Sequence, residues 1–376
     1  MADLLLDRLG ISYDKPFAVK KLAKVIIDCP DTAREALTNP NFINDSSIEG
    51  FTNKFGSRYT SLSNLASQNP RAKTDASEHR WPKRISAAIV QQAAKEFDEE
   101  KHKEAFKAIL ETSPAPSALE LVSNVIYPLI GVYIEQCFQV KPQNPIRLVQ
   151  DASEFAAIIR PFPSIKQMDR VNVISSRLLN NLEESIDREW LHECQSNSGL
   201  RQVVLEETTQ LGHEERKTAI QSSLLGLIIG TMGFAHTLTI LCATLLRNDR
   251  VNGEQMRSKE WRSTHLSSLI TQHSPIRYIL RRSVSDDTIQ GEQITAGQYL
   301  CIDVASIPAG KQGSSDVTFG AGRHSCPGRK LTLISLDCYL ATLIEYLSEY
   351  ELEKDEWEFG FLTRYPSEIW IKKRGN

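Results

Sequence analysis

A glycine-rich stretch near the C-terminus, Phe319–Gly328, constrains this chain more than any other feature. It reads Phe-Gly-Ala-Gly-Arg-His-Ser-Cys-Pro-Gly, and its glycines permit tight turns and close backbone approach where a side chain would clash. Cys326 lies just before a predicted helical segment, Lys330–Leu352, and the positive end of a helix stabilises a thiolate. Such a loop can present a thiolate to a metal, and haem iron is the centre that it would serve best.

The same stretch resembles the haem-binding loop of the cytochrome P450 family, Phe-Gly-x-Gly-x-(Arg or His)-x-Cys-x-Gly, at every fixed position. The resemblance implies haem b (iron protoporphyrin IX) as cofactor, with Cys326 as the axial ligand of its iron and His324 at a propionate. Phe319, Gly322 and Gly328 then belong to the cofactor-binding loop. The alternative is a structural cysteine in a glycine-rich turn, and the complete register of the motif favours the haem ligand.

Two further segments match places where the family binds haem propionates. His79 and Lys83 have the spacing of a histidine and a cation at the start of a helix beside the haem. Arg281 falls on the strand that follows Ser274-Pro275 and matches another propionate-binding arginine. Cations at these positions would neutralise two carboxylates in a site of low dielectric constant. For His79 and Lys83, a solvated basic helix start is the alternative.

Residues 222–246 carry no formal charge, and the segment is long enough to span a membrane. Its glycines, hydroxyl side chains and central His236 favour a long buried helix instead. The resemblance assigns this segment to the family helix that crosses the distal face of the haem. It aligns Gly230 with the conserved glycine of that helix, as part of the cofactor site.

This helix departs from the family pattern. In the family, an acid and an alcohol on this helix normally supply protons for oxygen activation. Met232 and Gly233 occupy these two positions here, and neither residue can deliver a proton. Thr231 and His236 remain as candidate catalytic groups. A lone threonine or histidine on a buried helix is more often satisfied within the core.

The bracing network of the haem loop is also altered. The family's Glu-x-x-Arg pair falls on Ser268 and Thr271, and the segment that normally precedes the haem loop is missing between Gly310 and Phe319. Together with the changes on the distal helix, these losses indicate a divergent member of the family.

Overall composition sets wider bounds. The chain has 376 residues and a net charge of −3, which implies no nucleic-acid partner, and its cysteines have neither disulfide-like nor zinc-like spacing. Charges within the first ten residues argue against a signal peptide or an anchor. We expect a cytoplasmic monomer without membrane attachment, folded as one mainly α-helical domain with small β-sheets over residues 1–376. A capped helix is expected at 31–37, helices through most of 85–222, a loop at 53–77, and a closing hairpin at 356–373.

The resemblance implies a haem-thiolate oxidoreductase, similar to a monooxygenase, that tailors a small organic molecule in secondary metabolism with atypical proton delivery. One alternative is a non-oxygenating haem-thiolate isomerase, dehydratase or rearrangement enzyme, and another is a haem-binding protein without catalysis. A ferredoxin- or flavodoxin-type redox partner would suit the cationic residues expected on the thiolate side. These are Lys83, Arg84, Lys311, Arg323, Arg329 and Lys330.

Overall fold

A computed structural model gives the fold of the chain. It describes residues 23–44, 59–61, 76–113, 118–158, 165–190, 199–247, 255–307, 317–359 and 363–374, without the side chains of 76–81, 156–158, 165 and 187–189. The helices are α1 Pro30–Thr38, α2 Ala76–Lys95, α3 Glu99–Thr112, α4 Tyr127–Phe138, α5 Pro145–Ile158, α6 Ile165–Glu189, α7 Gly199–Glu207, α8 His213–Arg247, α9 Lys259–Gln272 and α10 Arg329–Leu347. The strands are β1 Ala23–Ile27, β2 Phe42–Ile43, β3 Leu119–Glu120, β4 Tyr278–Ser283, β5 Asp287–Ile289, β6 Glu292–Ile294, β7 Tyr299–Asp303, β8 Tyr350–Phe359 and β9 Arg364–Lys373. The expected mainly helical class with small sheets is confirmed.

The chain divides into two compact units. The first comprises residues 1–45, 264–326 and 359–364, and the second comprises 46–263, 327–358 and 365–376. The expectation of a single domain over 1–376 stays a prediction.

A four-stranded sheet organises the first unit, in the order β1-β7-β4-β2. β1 pairs with β7 in parallel, and β4 pairs with both β7 and β2 in antiparallel fashion. Alternate residues of β1 are buried, as expected for a strand with one face on a core. Leu37 of α1 and Phe42 of β2 join the strand residues Ile27 and Ile302 in that core. The helix predicted at 31–37 is therefore confirmed, and it packs as part of the sheet's apolar layer.

The second unit is built mainly of helices, with α8 as its longest element. α8 is long and apolar enough to cross a membrane, but 83% of its most apolar window is buried inside the protein. This burial supports the expected core helix rather than a membrane span. A three-stranded sheet, β3-β9-β8, belongs mostly to this unit. The buried carboxylate of Glu120 on β3 accepts hydrogen bonds from the backbone N–H groups of Val122 and Ile369.

Two boundaries differ from the sequence predictions. The helix expected at Lys330–Leu352 ends at Leu347, because β8 begins at Tyr350 and takes its place in the sheet beside β9. The closing hairpin predicted at 356–373 is confirmed, but its first strand begins earlier for the same reason. Tertiary pairing here outweighs the helix propensity of the leucine- and glutamate-rich segment. Almost all of the loop predicted at 53–77 lies outside the described residues.

Candidate functional site

The loop before Cys326 adopts a backbone that requires glycine at two positions. Gly320 has φ +70° and Gly322 has φ +64°, both in the left-handed region. A Cβ added at Gly320 would lie 3.2 Å from the carbonyl oxygen of His324. A Cβ added at Gly322 would lie 3.1 Å from the carbonyl oxygen of Leu37. Glycine is therefore required at both positions, by the backbone conformation and by the close packing. The φ of Gly328 is −80°, which any residue can adopt.

Hydrogen bonds close this loop on itself. The N–H of Cys326 donates to the carbonyl of Phe319 at 2.7 Å, and the N–H of Ser325 donates to that of Gly322 at 3.1 Å. Arg323 Nη2 donates to the carbonyl of Pro40 at 3.1 Å, just beyond the end of α1. The backbone of Cys326 is thus fixed at the base of a closed turn.

Cys326 is partly exposed, unlike most of the described cysteines. Burial raises the pKa of the Cys242, Cys301 and Cys338 thiols to about 12, so these thiols stay protonated at neutral pH and are poor metal ligands. Cys29 is also partly exposed. Among the described residues, Cys326 and Cys29 are therefore the thiols open to a ligand.

Arg281 is a buried cation on β4 in the same unit as Cys326. The residue is 4% exposed, and its Nη1 donates to the carbonyl of Leu280 at 3.0 Å. Its Nε has no hydrogen-bond partner among the described residues, and no described carboxylate pairs with it. Burial lowers its pKa to about 10. A buried guanidinium in this condition fits an anionic group supplied by a ligand.

The remaining predicted propionate contacts are less defined. His324 is partly buried in the short 3₁₀ turn Gly322–His324 of the same unit. Lys83 is partly buried on α2, in the other unit. The side chain of His79 lies outside the described residues. Arg281, His324 and Cys326 thus share one unit, and the grouping of all four propionate contacts stays a prediction.

One face of α8 is lined by glycine. Within Ile220–Ala243, the positions that are not fully buried are Gly226, Gly230 and Gly233, and their spacing of four and then three residues places them on one side of the helix. A Cβ added at Gly233 would meet no described atom within 4 Å. Met232, by contrast, is 1% exposed. The alignment that puts Gly230 and Gly233 at family positions thus coincides with the open face of the helix.

The candidate proton donors on α8 are engaged within the helix or the core. The hydroxyl groups of Thr231 and Thr237 donate to the backbone carbonyls of Leu227 and Gly233, each at 2.8 Å. His236 is 4% exposed, and its Nε2 lies 3.4 Å from Ser153 Oγ. Burial lowers the pKa of His236 to about 3, so the ring is neutral at physiological pH. Catalytic roles for Thr231 and His236 stay a prediction.

Sequence reasoning missed a buried ion pair between α9 and α10. Arg262 Nε donates to Asp337 Oδ1 at 2.6 Å, and the arginine side chain is 5% exposed. Further along α9, Thr271 Oγ1 donates to the carbonyl of Ser267 at 3.0 Å. The sequence holds one signal of this pair, since Arg262 shares a helical face with Leu266 and Leu269 and stands out there as a charge on an apolar stripe.

The described residues fit a haem. They contain no group of three or more His, Cys, Asp or Glu side chains able to hold a metal ion. A haem brings four nitrogen donors with it and asks for one thiolate from the protein, which the loop of Cys326 can supply. Arg281 offers the unpaired cation that an acidic macrocycle needs.

Comparison with known proteins connects this arrangement to a family. No family model matches the chain. It is 25% identical over 257 residues to a putative cytochrome P450 133B2 of Xylella fastidiosa, covering 63% of the chain and 62% of that protein. It is 25% identical over 252 residues to the mycinamicin VIII C21 methyl hydroxylase of Micromonospora griseorubida, covering 63% and 60%. The chain thus spans about three fifths of the length of the curated relatives that it matches.

Solved structures extend the comparison across the whole fold. The structure of P450BioI, in complex with an acyl carrier protein, superposes with a TM-score of 0.75 at 16% identity and covers 93% of this chain and 92% of its own. CalO2 superposes with a TM-score of 0.75 at 14% identity, covering 93% and 90%. The chain therefore has the fold of these cytochrome P450 structures and is similar in sequence to the cytochrome P450 relatives. For a cytochrome P450, haem is the cofactor that the family implies, in agreement with the loop of Cys326.

Proposed function

We propose that the chain is a haem-thiolate oxidoreductase that binds haem b through Cys326 and modifies a small organic molecule. The observation that carries the proposal is the closed loop of Cys326, in which Gly320 and Gly322 hold left-handed conformations and the cysteine is partly exposed. Thiolate-ligated haem supplies electron-rich iron suited to oxygen activation. The unpaired guanidinium of Arg281 supports the binding of the haem carboxylates.

The role of the protein in this chemistry is to hold the cofactor, exclude water and manage protons. The backbone contacts of Cys326 and Ser325 fix the loop, and Arg281 contributes a desolvated positive charge. A redox partner of ferredoxin or flavodoxin type stays part of the proposal. Two of the cations expected to recognise it are already engaged, since Arg84 pairs with Glu207 at 2.7 Å and Arg323 contacts the carbonyl of Pro40.

A carbon monoxide difference spectrum tests the proposal. Purified protein reduced with dithionite should give the red-shifted Soret band of a thiolate-ligated ferrous–CO haem, and Cys326→Ala should abolish it. Cys29→Ala is the matched control, because Cys29 is the other described thiol that is not buried. Retention of the band in Cys326→Ala, or its loss in Cys29→Ala, would overturn the assignment of Cys326.

A redox-neutral haem-thiolate isomerase, dehydratase or rearrangement enzyme is the second candidate. It is favoured by α8, where the acid–alcohol pair is absent and the hydroxyls of Thr231 and Thr237 donate to backbone carbonyls. Proton delivery by a positioned side chain commonly contributes about 10²–10⁴ in rate, and a reaction without oxygen activation does not need it. Turnover of a candidate substrate with and without an electron donor, dioxygen and peroxide separates the two. Product formed without any of them supports the redox-neutral enzyme.

A further inference from the structure

The guanidinium group of Arg262 joins three segments of the second unit. Its Nε donates to Asp337 Oδ1 on α10 at 2.6 Å. Its Nη1 donates to the carbonyl oxygens of Met256 and Arg257, just before α9, at 2.9 and 2.8 Å. The segment before α9, the first turn of α9 and the middle of α10 are therefore held by one side chain.

A charge at this position has a cost that packing alone does not explain. Removing a guanidinium from water is unfavourable unless its hydrogen bonds are replaced, and an apolar residue of similar volume often stabilises a core as well. Arg262 is nearly fully buried and shares the apolar face of α9 with Leu266 and Leu269. The ion pair restricts the relative positions of α9 and α10, because a planar guanidinium group forms its hydrogen bonds in only a few directions.

The ion pair lies close along the chain to the loop of Cys326. α10 begins at Arg329, three residues after Cys326, and Asp337 lies about two turns further along the helix. An anchor at Asp337 therefore limits where the N-terminal end of α10, and the cysteine joined to it, can lie. In the family pattern the bracing pair falls on Ser268 and Thr271 of α9, and neither can form an ion pair.

We propose that the Arg262–Asp337 pair replaces the missing Glu-x-x-Arg brace and fixes α10 so that Cys326 stays in place as the thiolate ligand. Arg262 and Asp337 are positioning residues, since they act through α10 and do not touch the cofactor. This inference rests on the proposed function, because it assigns the pair to the retention of a thiolate-bound haem.

The test compares haem retention with overall stability in haem-loaded protein. The variants are Arg262→Gln and Asp337→Asn, with Asp337→Glu as the variant that conserves the charge. Arg247→Gln is the matched control, because it breaks another ion pair of the same unit, between Arg247 on α8 and Asp355 on β8. For each protein, urea unfolding gives the stability, haem transfer to apomyoglobin gives the rate of haem loss, and the ferrous–CO spectrum reports the thiolate.

We expect haem transfer from Arg262→Gln and Asp337→Asn to be about tenfold faster or more, because an uncompensated buried charge loosens the site. Part of their ferrous–CO band should shift to the form without thiolate. Asp337→Glu should recover most of the thiolate band. Arg247→Gln should lose stability with little change in haem transfer or in that band. If Arg262→Gln does not fold, the isosteric Asp337→Asn decides the question alone.

One result would overturn the inference, and a different result would overturn the proposed function. Equal haem loss from Arg262→Gln and Arg247→Gln variants at equal loss of stability would show a pair that only stabilises the fold, and would overturn the inference. A wild-type protein without any thiolate-type ferrous–CO band would instead overturn the proposed function on which the inference depends.

Discussion

The imidazole ring of His236 lies flat against the phenol ring of Tyr365, with ring centroids 3.5 Å apart and ring planes 3° apart. On another side of the ring, Nε2 faces Ser153 Oγ, which in turn contacts the hydroxyl group of Tyr127 at 3.2 Å. Helix α8 is therefore tied at this point to β9 and α5. Burial lowers the pKa of His236 to about 3. The imidazole is therefore neutral at physiological pH where it stacks on Tyr365.

The first prediction is a loss of stability in mild acid that depends on His236. An unfolded histidine has a pKa of about 6.5, so as pH falls from that value towards 3 the unfolded chain binds a proton that the folded protein does not. The free energy of unfolding should therefore decrease as pH falls. His236→Phe should remove up to about 1.4 kcal/mol of this dependence per pH unit. Urea unfolding at a series of pH values measures the slope.

His213→Phe is the control for that experiment. His213 begins α8 and its side chain is 69% exposed, so the variant replaces an exposed histidine of the same helix by the same residue. An unaltered slope in His236→Phe would contradict the prediction.

The second prediction contrasts two glycines in helices. Gly233→Ala should stabilise the protein by about 0.5–1 kcal/mol, because alanine is the better helix former and its Cβ would meet no described atom within 4 Å. Gly131→Ala should instead destabilise by about 1–3 kcal/mol through overpacking, since the added Cβ would lie 2.9 Å from Pro145 Cβ. Thermal or urea unfolding of both variants provides the measurement, and a destabilised Gly233→Ala would argue against an open face on α8.

The third prediction concerns the loop of Cys326. Gly322→Ala should destabilise the protein by more than Gly297→Ala, although both glycines have positive φ values of 64° and 86°. Each alanine pays about 1–2 kcal/mol for the left-handed conformation, but at Gly322 the added Cβ also crowds the backbone of Leu37 and Thr38 at 3.1 Å, whereas at Gly297 it meets none. Equal losses of unfolding free energy would indicate that the loop and α1 do not pack closely.

The fourth prediction uses two arginines that share one carboxylate. Asp151 is 1% exposed and accepts two hydrogen bonds from Arg177, at 2.8 and 2.6 Å, and an ion-pair contact from Arg147 at 3.2 Å. Arg177→Met should cost about 3 kcal/mol, because it leaves a buried carboxylate poorly compensated. Arg147→Met should cost less than about 1 kcal/mol, as the arginine is 48% exposed. Similar losses in urea unfolding would be inconsistent with a dominant Arg177–Asp151 pair.

The fifth prediction addresses proton supply. The Met232→Glu, Gly233→Thr double variant should raise the share of electrons that end in product, because it restores an acid and a hydroxyl at the family positions. Gly233→Thr alone should raise this share little, although the added Cβ would meet no described atom within 4 Å, because the acid would still be absent. The buried position of Met232 predicts a loss of stability in the double variant. The measurement is the amount of product formed per electron donor consumed. Well-coupled hydroxylation by the unmodified protein would refute a defect in proton delivery.

Local pattern was enough to predict the elements with strong signals. The glycines of the Cys326 loop and the closing hairpin follow from residue types and their spacing. The buried character of α8 follows from its uncharged composition, with glycines, hydroxyl side chains and a central His236. Contacts between distant segments could not be predicted in this way. The pairing of Arg262 with Asp337 and the stacking of His236 on Tyr365 depend on which elements pack against each other. The local hydrophobic periodicity of a single sequence carries no information on that.

The parallel pairing of β1 with β7 joins Ala23 to Tyr299, so the four-stranded sheet of the first unit closes a loop that contains most of the chain. Closing such a loop costs entropy before any contact rewards it, and folds dominated by distant pairings form slowly. During synthesis the sheet beside the Cys326 loop must wait until nearly the whole polypeptide has emerged. The helices between residues 76 and 247 have no such delay, whereas α10 follows the Cys326 loop in the chain. The loop of Cys326 is therefore expected to reach its final surroundings only after those earlier helices have formed.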